Sequence, residues 1–185
     1  VVPTKEGKPK SINTIADIWR SAPWPKKLHI LDNDFFGNPE WRGRIAEIRD
    51  GKFSVCFSQG INTRLVDDEA AAALASVKYS DTKFQRRRLY TAWDNLKDEE
   101  VFFRGVDMLE KAGIPPKNIM AYMLVGYDKA ETWDRLWHRF NRMVERGIKP
   151  YPMVYDDSRK DLKAFQRWVI MGLYRIVPWD EYRGA

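Results

Sequence analysis

The sequence predicts an α/β protein in which short β-strands alternate with amphipathic helices. Five apolar runs recur roughly 25 to 35 residues apart, which is the length of one strand-helix-strand unit. The segments between them place apolar residues at helical spacing, and several of them begin with acidic residues and end at a glycine. Because strands that alternate with covering helices form parallel sheets, we expect an open parallel sheet or barrel with its helices outside.

The predicted strands are apolar and rich in aromatic residues, and they span residues 28–31, 53–57, 89–93, 119–125 and 151–155. Predicted helices begin near residues 38, 67, 98, 130 and 158. The last of these starts at Ser158, with Asp161 as its expected capping-box partner. The helix from about residue 130 is expected to bury one face, formed by Trp133, Trp137, Phe140 and Val144.

The region before the first predicted strand contains one further helix, at residues 11–19. A crossover helix without a preceding strand indicates that one strand-helix unit lacks its strand, so we expect the fold to begin before Val1. We therefore predict a single domain over residues 1–185. It comprises an arm and orphan helix (1–27), five parallel strands with their helices (28–155), and a C-terminal helix with a tail (156–185).

Composition narrows the class of protein. The chain has 185 residues and a net charge of +6, which favours polyanionic or phosphate-bearing partners. No apolar run approaches the roughly 20 residues that span a bilayer, so we expect no membrane partner. Cys56 is the only cysteine and cannot form an internal disulfide, which favours a reducing, cytoplasmic location.

Polar residues follow each predicted strand, at the edge where parallel α/β proteins bind ligands. After successive strands come Asp32-Asn33-Asp34, then the run 58–64 with Gln59 and Arg64, then Asp94-Asn95, Gly126-Tyr127-Asp128 and Asp156-Asp157. Such residues also cap the helices that follow strands, which is the alternative for any single position. Their recurrence after successive strands favours a ligand site.

Several other chemistries have little support. The sequence contains neither a P-loop nor a G-x-G-x-x-G motif. His29 and His138 have no metal-ligand spacing around them, and Cys56 lies within an apolar strand, so we predict no metal site and an inert thiol. The basic run 86–88 is either a solvated lead-in to the third predicted strand or a patch that contacts phosphates.

The blocks at the strand ends resemble radical S-adenosylmethionine proteins, of an uncharacterised group found in phages and bacteria. The resemblance covers almost the whole chain and rests on residues 31–35, 59–65, 92–94 and 123–127, with residues 1–7 similar to the segment that follows the cluster cysteines in that group. It implies a partial six-stranded (β/α) barrel, of which this chain holds five units without the first strand. It also implies a [4Fe-4S] cluster on three cysteines, which this chain lacks, so the chain alone would be inactive.

The resemblance further implies a partial S-adenosylmethionine site. Asp32, Asn33 and Asp34 would hold the methionine ammonium. In the second block, Gln59 would line the site and Arg64 would pair with the methionine carboxylate. Asp94 would accept hydrogen bonds from the ribose hydroxyls, and the backbone of Val125 and Gly126 would meet the adenine. The substrate is left open.

Two other functions stay open at this point. One is a nucleic-acid-binding module that uses Arg86, Arg87, Arg88 and exposed tryptophans. The other is an interaction scaffold without a cluster. A sheet that lacks one strand also has an unpaired edge, so self-association through that edge is expected.

Overall fold

The computed structural model describes residues 13–183. The β-strands are β1 Lys27–Ile30, β2 Ser54–Phe57, β3 Lys78–Tyr79, β4 Leu89–Ala92, β5 Ile119–Val125 and β6 Lys149–Val154. The α-helices are α1 Ile15–Ile18, α2 Trp41–Asp50, α3 Asp68–Ser76, α4 Glu99–Lys111, α5 Trp133–Glu145, α6 Lys160–Ile170 and α7 Trp179–Arg183. All five predicted strands are present. The additional strand β3 has only two residues, which is too short to produce an alternating pattern in the sequence.

The strands form two three-stranded parallel sheets, with the orders β1-β2-β3 and β4-β5-β6. The sheets meet where Ile61, just beyond β2, pairs with Thr91 of β4. The Ile61 amide donates to the Tyr90 carbonyl over 2.7 Å, and the Thr91 hydroxyl donates to the Ile61 carbonyl over 2.9 Å. Gly60, with φ at +94°, supplies the left-handed turn that brings Ile61 alongside β4. The predicted α/β class with parallel strands is therefore confirmed.

The buried face of helix α5 differs from the predicted one at one residue. Phe140 is buried as expected, and Trp133 and Trp137 are partly buried, but Val144 lies at the surface. Met143 is buried instead, because the buried face of this helix is formed by Leu136, Arg139, Phe140 and Met143.

The first and the last of the predicted helices differ from their predicted bounds. Helix α1 begins at Ile15, after Thr14 caps it with Asp17 in a capping box, and residues 11 and 12 of the predicted helix lie outside the described residues. Helix α6 begins at Lys160 without a side-chain cap. The expected capping box between Ser158 and Asp161 does not form, because Ser158 bonds to Asp156 and Asp161 pairs with Arg159.

Each sheet leaves unpaired edges among the described residues. β1 pairs only with β2, and β6 pairs only with β5. Pro150 and Pro152 of β6 have no amide hydrogen to offer, so β1 is the edge better able to accept another strand. Self-association through such an edge stays a prediction. No helix within residues 13–183 is long and apolar enough to cross a membrane.

Candidate functional site

A pocket of about 440 Å³ lies beyond the carboxyl ends of β1, β2 and β4. Five of the eight predicted site residues line it: Asn33, Asp34, Gln59, Arg64 and Asp94. They come from three separate loops, and the parallel strands bring those loops to one edge. The remaining walls include Asn62, Thr63, Trp93, Asn95, Asp98 and Phe102.

The loop after β1 is held by hydrogen bonds of its own carboxylates. Asp32 does not line the pocket; its carboxylate accepts the Asp34 amide over 2.8 Å. Asp34 in turn accepts a long hydrogen bond, 3.4 Å, from the side-chain amide of Asn62 in the next loop. The Asp34 carboxylate lies over Gly37, where any Cβ would overlap it. Asp34 lines the pocket, while Asp32 supports the loop from outside it.

Arg64 already has an internal partner. It lies in a short 3₁₀ turn, Thr63–Leu65, in which the Asn62 side chain accepts the Arg64 amide over 3.2 Å. Its guanidinium pairs with Asp98 over 2.5 Å, yet more than half of the side chain is exposed. A carboxylate ligand would therefore compete with Asp98 for this arginine.

Asp94 has one carboxylate oxygen engaged. Its Oδ1 accepts the Leu124 amide over 2.8 Å, and Asp94 is exposed at the pocket wall. The preceding residue, Trp93, is almost fully buried, stacks on Phe102 at 5.3 Å and donates its indole N–H to the Asn95 carbonyl. This anchored tryptophan fixes the loop. The other oxygen of Asp94 has no hydrogen-bond partner within residues 13–183, so it can accept from a ligand.

Val125 and Gly126 lie outside this pocket. The Val125 carbonyl accepts the Tyr155 amide over 3.0 Å, and the Gly126 amide donates to Glu131 over 3.0 Å. Gly126 lines a separate cleft of about 260 Å³ with Asp128, Thr132 and Arg159 among its walls. Two of the backbone groups that the resemblance implies for adenine, the Val125 carbonyl and the Gly126 amide, are therefore already engaged within the protein.

The structure contains a buried ion pair near the carboxyl ends of β4 and β5 that was not predicted from the sequence. Arg139 of α5 is 1% exposed and pairs with Glu131. Its guanidinium also donates to the carbonyls of Trp93 and Leu124, at 3.1 and 3.0 Å. It thereby ties together the ends of β4 and β5. The sequence feature that could have revealed this pair is an arginine on the apolar face of α5, between Leu136 and Phe140.

The sheet interior next to the pocket is aromatic. Tyr122 stacks on Tyr90 at 5.8 Å and donates its hydroxyl to the Ser58 carbonyl over 2.9 Å. Burial raises the pKa of Tyr122 to about 12, and burial likewise raises the pKa of the Cys56 thiol to about 11. Cys56 is therefore a neutral thiol at pH 7, which disfavours nucleophilic attack.

The two histidines also have ordinary partners. His138 bonds to Glu99 over 2.7 Å, and the His29 ring lies edge-on to Phe84. Within residues 13–183 no group of three His, Cys, Asp or Glu side chains could hold a metal ion. A [4Fe-4S] cluster does not fit this set of residues, since the one cysteine is buried in β2.

The donor set of the pocket does fit a zwitterionic nucleoside ligand. Carboxylates suit an ammonium group and a ribose diol, and a guanidinium suits a carboxylate. Comparison with known proteins adds no relative: neither family models, nor curated proteins, nor solved structures give a significant match to this chain.

Proposed function

We propose that this chain binds S-adenosylmethionine in the pocket at the carboxyl ends of β1, β2 and β4, as the cofactor-binding part of a radical S-adenosylmethionine protein. One observation carries the proposal. Two carboxylates and one arginine from three separate loops, Asp34, Arg64 and Asp94, line the same pocket. These are the groups that an amino-acid ammonium, its carboxylate and a ribose diol require.

The arrangement of strands supports the partial barrel that belongs to this proposal. Parallel pairing joins β1 to β2 and β4 to β5 and β6, and the Ile61–Thr91 bridge joins the segment after β2 to β4, so these five strands follow one another in chain order. The short strand β3 pairs with the edge of β2 opposite β1. Neighbours in sequence that are also neighbours in space, joined by helices, are the pattern of a (β/α) barrel.

Each of the three residues has a definite part in this proposal. Asp34 accepts from the ammonium group, and the free oxygen of Asp94 accepts from a ribose hydroxyl. Arg64 exchanges Asp98 for the methionine carboxylate, which its planar fork can hold through two hydrogen bonds. The reductive step of radical enzymes is not assigned to these residues, because a cluster does not fit them.

Isothermal titration calorimetry with S-adenosylmethionine tests the proposal. Asp94→Asn keeps an acceptor for the Leu124 amide but removes the charge, so we expect affinity to fall about tenfold or more. Asp157→Asn is the matched control, since Asp157 follows β6 outside the pocket and is largely exposed. Its affinity should stay at the wild-type value.

A third variant separates the role of Arg64 from a general change of charge. Asp98→Asn frees Arg64, so S-adenosylmethionine should bind about threefold more tightly. Binding of 5′-methylthioadenosine, which has no carboxylate, should not change. The proposal is wrong if S-adenosylmethionine fails to bind at millimolar concentration, or if Asp94→Asn and Asp157→Asn weaken binding equally.

A further inference from the structure

The opposite edge of the sheets, where the strands begin, has a different composition. In a parallel arrangement all strands start at the same edge, and here a cation opens or closely precedes each one. We call these the amino-edge cations: Lys26 and Lys27 at β1, Lys52 at β2, Lys78 at β3, Arg86, Arg87 and Arg88 at β4, Lys117 at β5 and Lys149 at β6.

The amino-edge cations lack the carboxylate partners that cations have elsewhere on this protein. On the outer faces of the helices, Arg42 pairs with Glu69 and Arg146 pairs with both Asp107 and Glu110. None of the amino-edge cations forms an ion pair with a carboxylate of the described residues. Apart from Arg86, which lies near the Asp81 carboxylate without forming an ion pair with it, these cations have positive charge available to an external anion.

Several of these cations form one contiguous cluster. The Arg88 guanidinium donates to the Lys117 carbonyl over 3.1 Å, which joins the starts of β4 and β5. Partial burial, together with the charges of Arg88, Arg175 and Arg86, lowers the pKa of Lys149 at the start of β6. Like charges held this close repel one another, and a bound anion would relieve that repulsion.

Aromatic rings lie among the same residues. The Lys27 ammonium lies 5.5 Å from the Phe84 ring centre, and the Arg87 guanidinium lies 5.0 Å from that of Tyr79. Trp24, just before β1, is 54% exposed and lies beneath the Arg20 guanidinium. An exposed indole beside cations is the combination that stacks bases while phosphates are neutralised.

We propose that this amino edge binds the phosphate backbone of a single-stranded nucleic acid. Within each sheet the cations occur at the starts of neighbouring strands, which are about 5 Å apart, and so form a row. A row of cations matches a linear chain of phosphates, whereas a membrane surface is better matched by an amphipathic helix with a basic face. The proposal is independent of the cofactor pocket, which lies at the other ends of the strands.

Fluorescence anisotropy with a labelled 20-nucleotide single-stranded RNA, and with DNA of the same sequence, tests the proposal. The triple variant Arg86→Gln/Lys117→Gln/Arg175→Gln removes three exposed charges, two of them amino-edge cations and the third, Arg175, near Lys149. The matched control, Arg42→Gln/Arg49→Gln/Lys111→Gln, removes three charges that are paired with carboxylates. Both variants lower the net charge equally, so they separate a localised surface from a general effect of charge.

We expect salt-dependent binding by the wild-type protein. At 0.1 M salt the edge variant should bind roughly tenfold or more weakly, with a shallower dependence of affinity on salt, while the control changes little. Equal losses in both variants, or no binding at low salt, would overturn the proposal. So would anionic vesicles that bind as tightly as RNA and DNA and respond to the same substitutions. Thermal melting of each variant shows whether a loss reflects unfolding instead.

Discussion

The two ends of the strands differ in how their charges are arranged. At the carboxyl edge, polar side chains are engaged by partners within the protein: Asp34 with Asn62, Arg64 with Asp98, and Asp94 with the Leu124 amide. At the amino edge, Lys149 lies near Arg88, Arg175 and Arg86, and none of these four cations forms an ion pair with a carboxylate within residues 13–183. Polar groups that are held in fixed positions select a ligand by its shape and its hydrogen bonds, whereas cations without ion-pair partners attract any chain of phosphates. The carboxyl edge therefore has the character of a specific site, and the amino edge that of a general one.

Helix dipoles explain only part of this polarity. Acidic residues favour helix starts, as at Asp68 and Glu69 of α3, and basic residues favour helix ends, as at Lys111 of α4. Lys117 and Lys149 lie at the starts of strands, outside any helix, so this rule does not account for them. The uncompensated charge at the amino edge therefore has to be explained separately.

Removal of Arg139 should have the largest effect on stability, because its charge is buried beneath the carboxyl edge. Arg139→Met leaves Glu131 without its ion-pair partner and the carbonyls of Trp93 and Leu124 without this donor. We expect the free energy of unfolding to fall by about 3 to 5 kcal/mol in urea denaturation. The exposed pair of Arg142 with Glu99 is the control, and Arg142→Gln should cost at most about 1 kcal/mol. Similar losses in both variants would mean that the buried pair does not hold the edge.

A smaller effect is expected where α4 approaches the pocket wall. A Cβ at Gly105 would lie 2.7 Å from the Thr63 carbonyl oxygen, in the turn that carries Arg64. Gly105→Ala should destabilise the protein by about 1 to 3 kcal/mol and weaken binding of S-adenosylmethionine, as measured by denaturation and calorimetry. At Gly43 of α2 a Cβ meets nothing within 4 Å, so Gly43→Ala should instead stabilise the protein by about 0.5 to 1 kcal/mol. Unchanged stability in Gly105→Ala would show that the turn moves without cost.

The smallest effect should have the opposite sign, at the amino edge. Lys149→Met removes one charge from the cationic cluster, so we expect a gain of about 0.5 kcal/mol in unfolding free energy, and less at 1 M salt. The lowered pKa means that the unfolded chain holds this proton more tightly than the folded protein. Stability due to Lys149 therefore rises as the pH increases toward 10.5, and the variant should lack that rise. A destabilised Lys149→Met would contradict a repulsive cluster.

The parts of the fold that could be predicted from the sequence are those with local signals. The five longer strands have apolar runs, and the face of α4 that carries Phe102, Val106 and Leu109 repeats at helical spacing. Strand β3 produces no such signal, and the rotation of the α5 stripe depends on its neighbours. Five predicted site residues share a pocket because parallel strands end at one edge, a rule that needs only the order of the elements.

The sequence by itself determined the alternation of strands and helices and the edge at which polar residues collect, because both follow from local periodicity and chain order. The tertiary structure decided which of those groups are still available to a ligand. Arg64 pairs with Asp98, the Gly126 amide donates to Glu131, and Arg139 reaches Trp93, which lies 46 positions away. Such pairings depend on how helices pack against strands, so no local pattern encodes them.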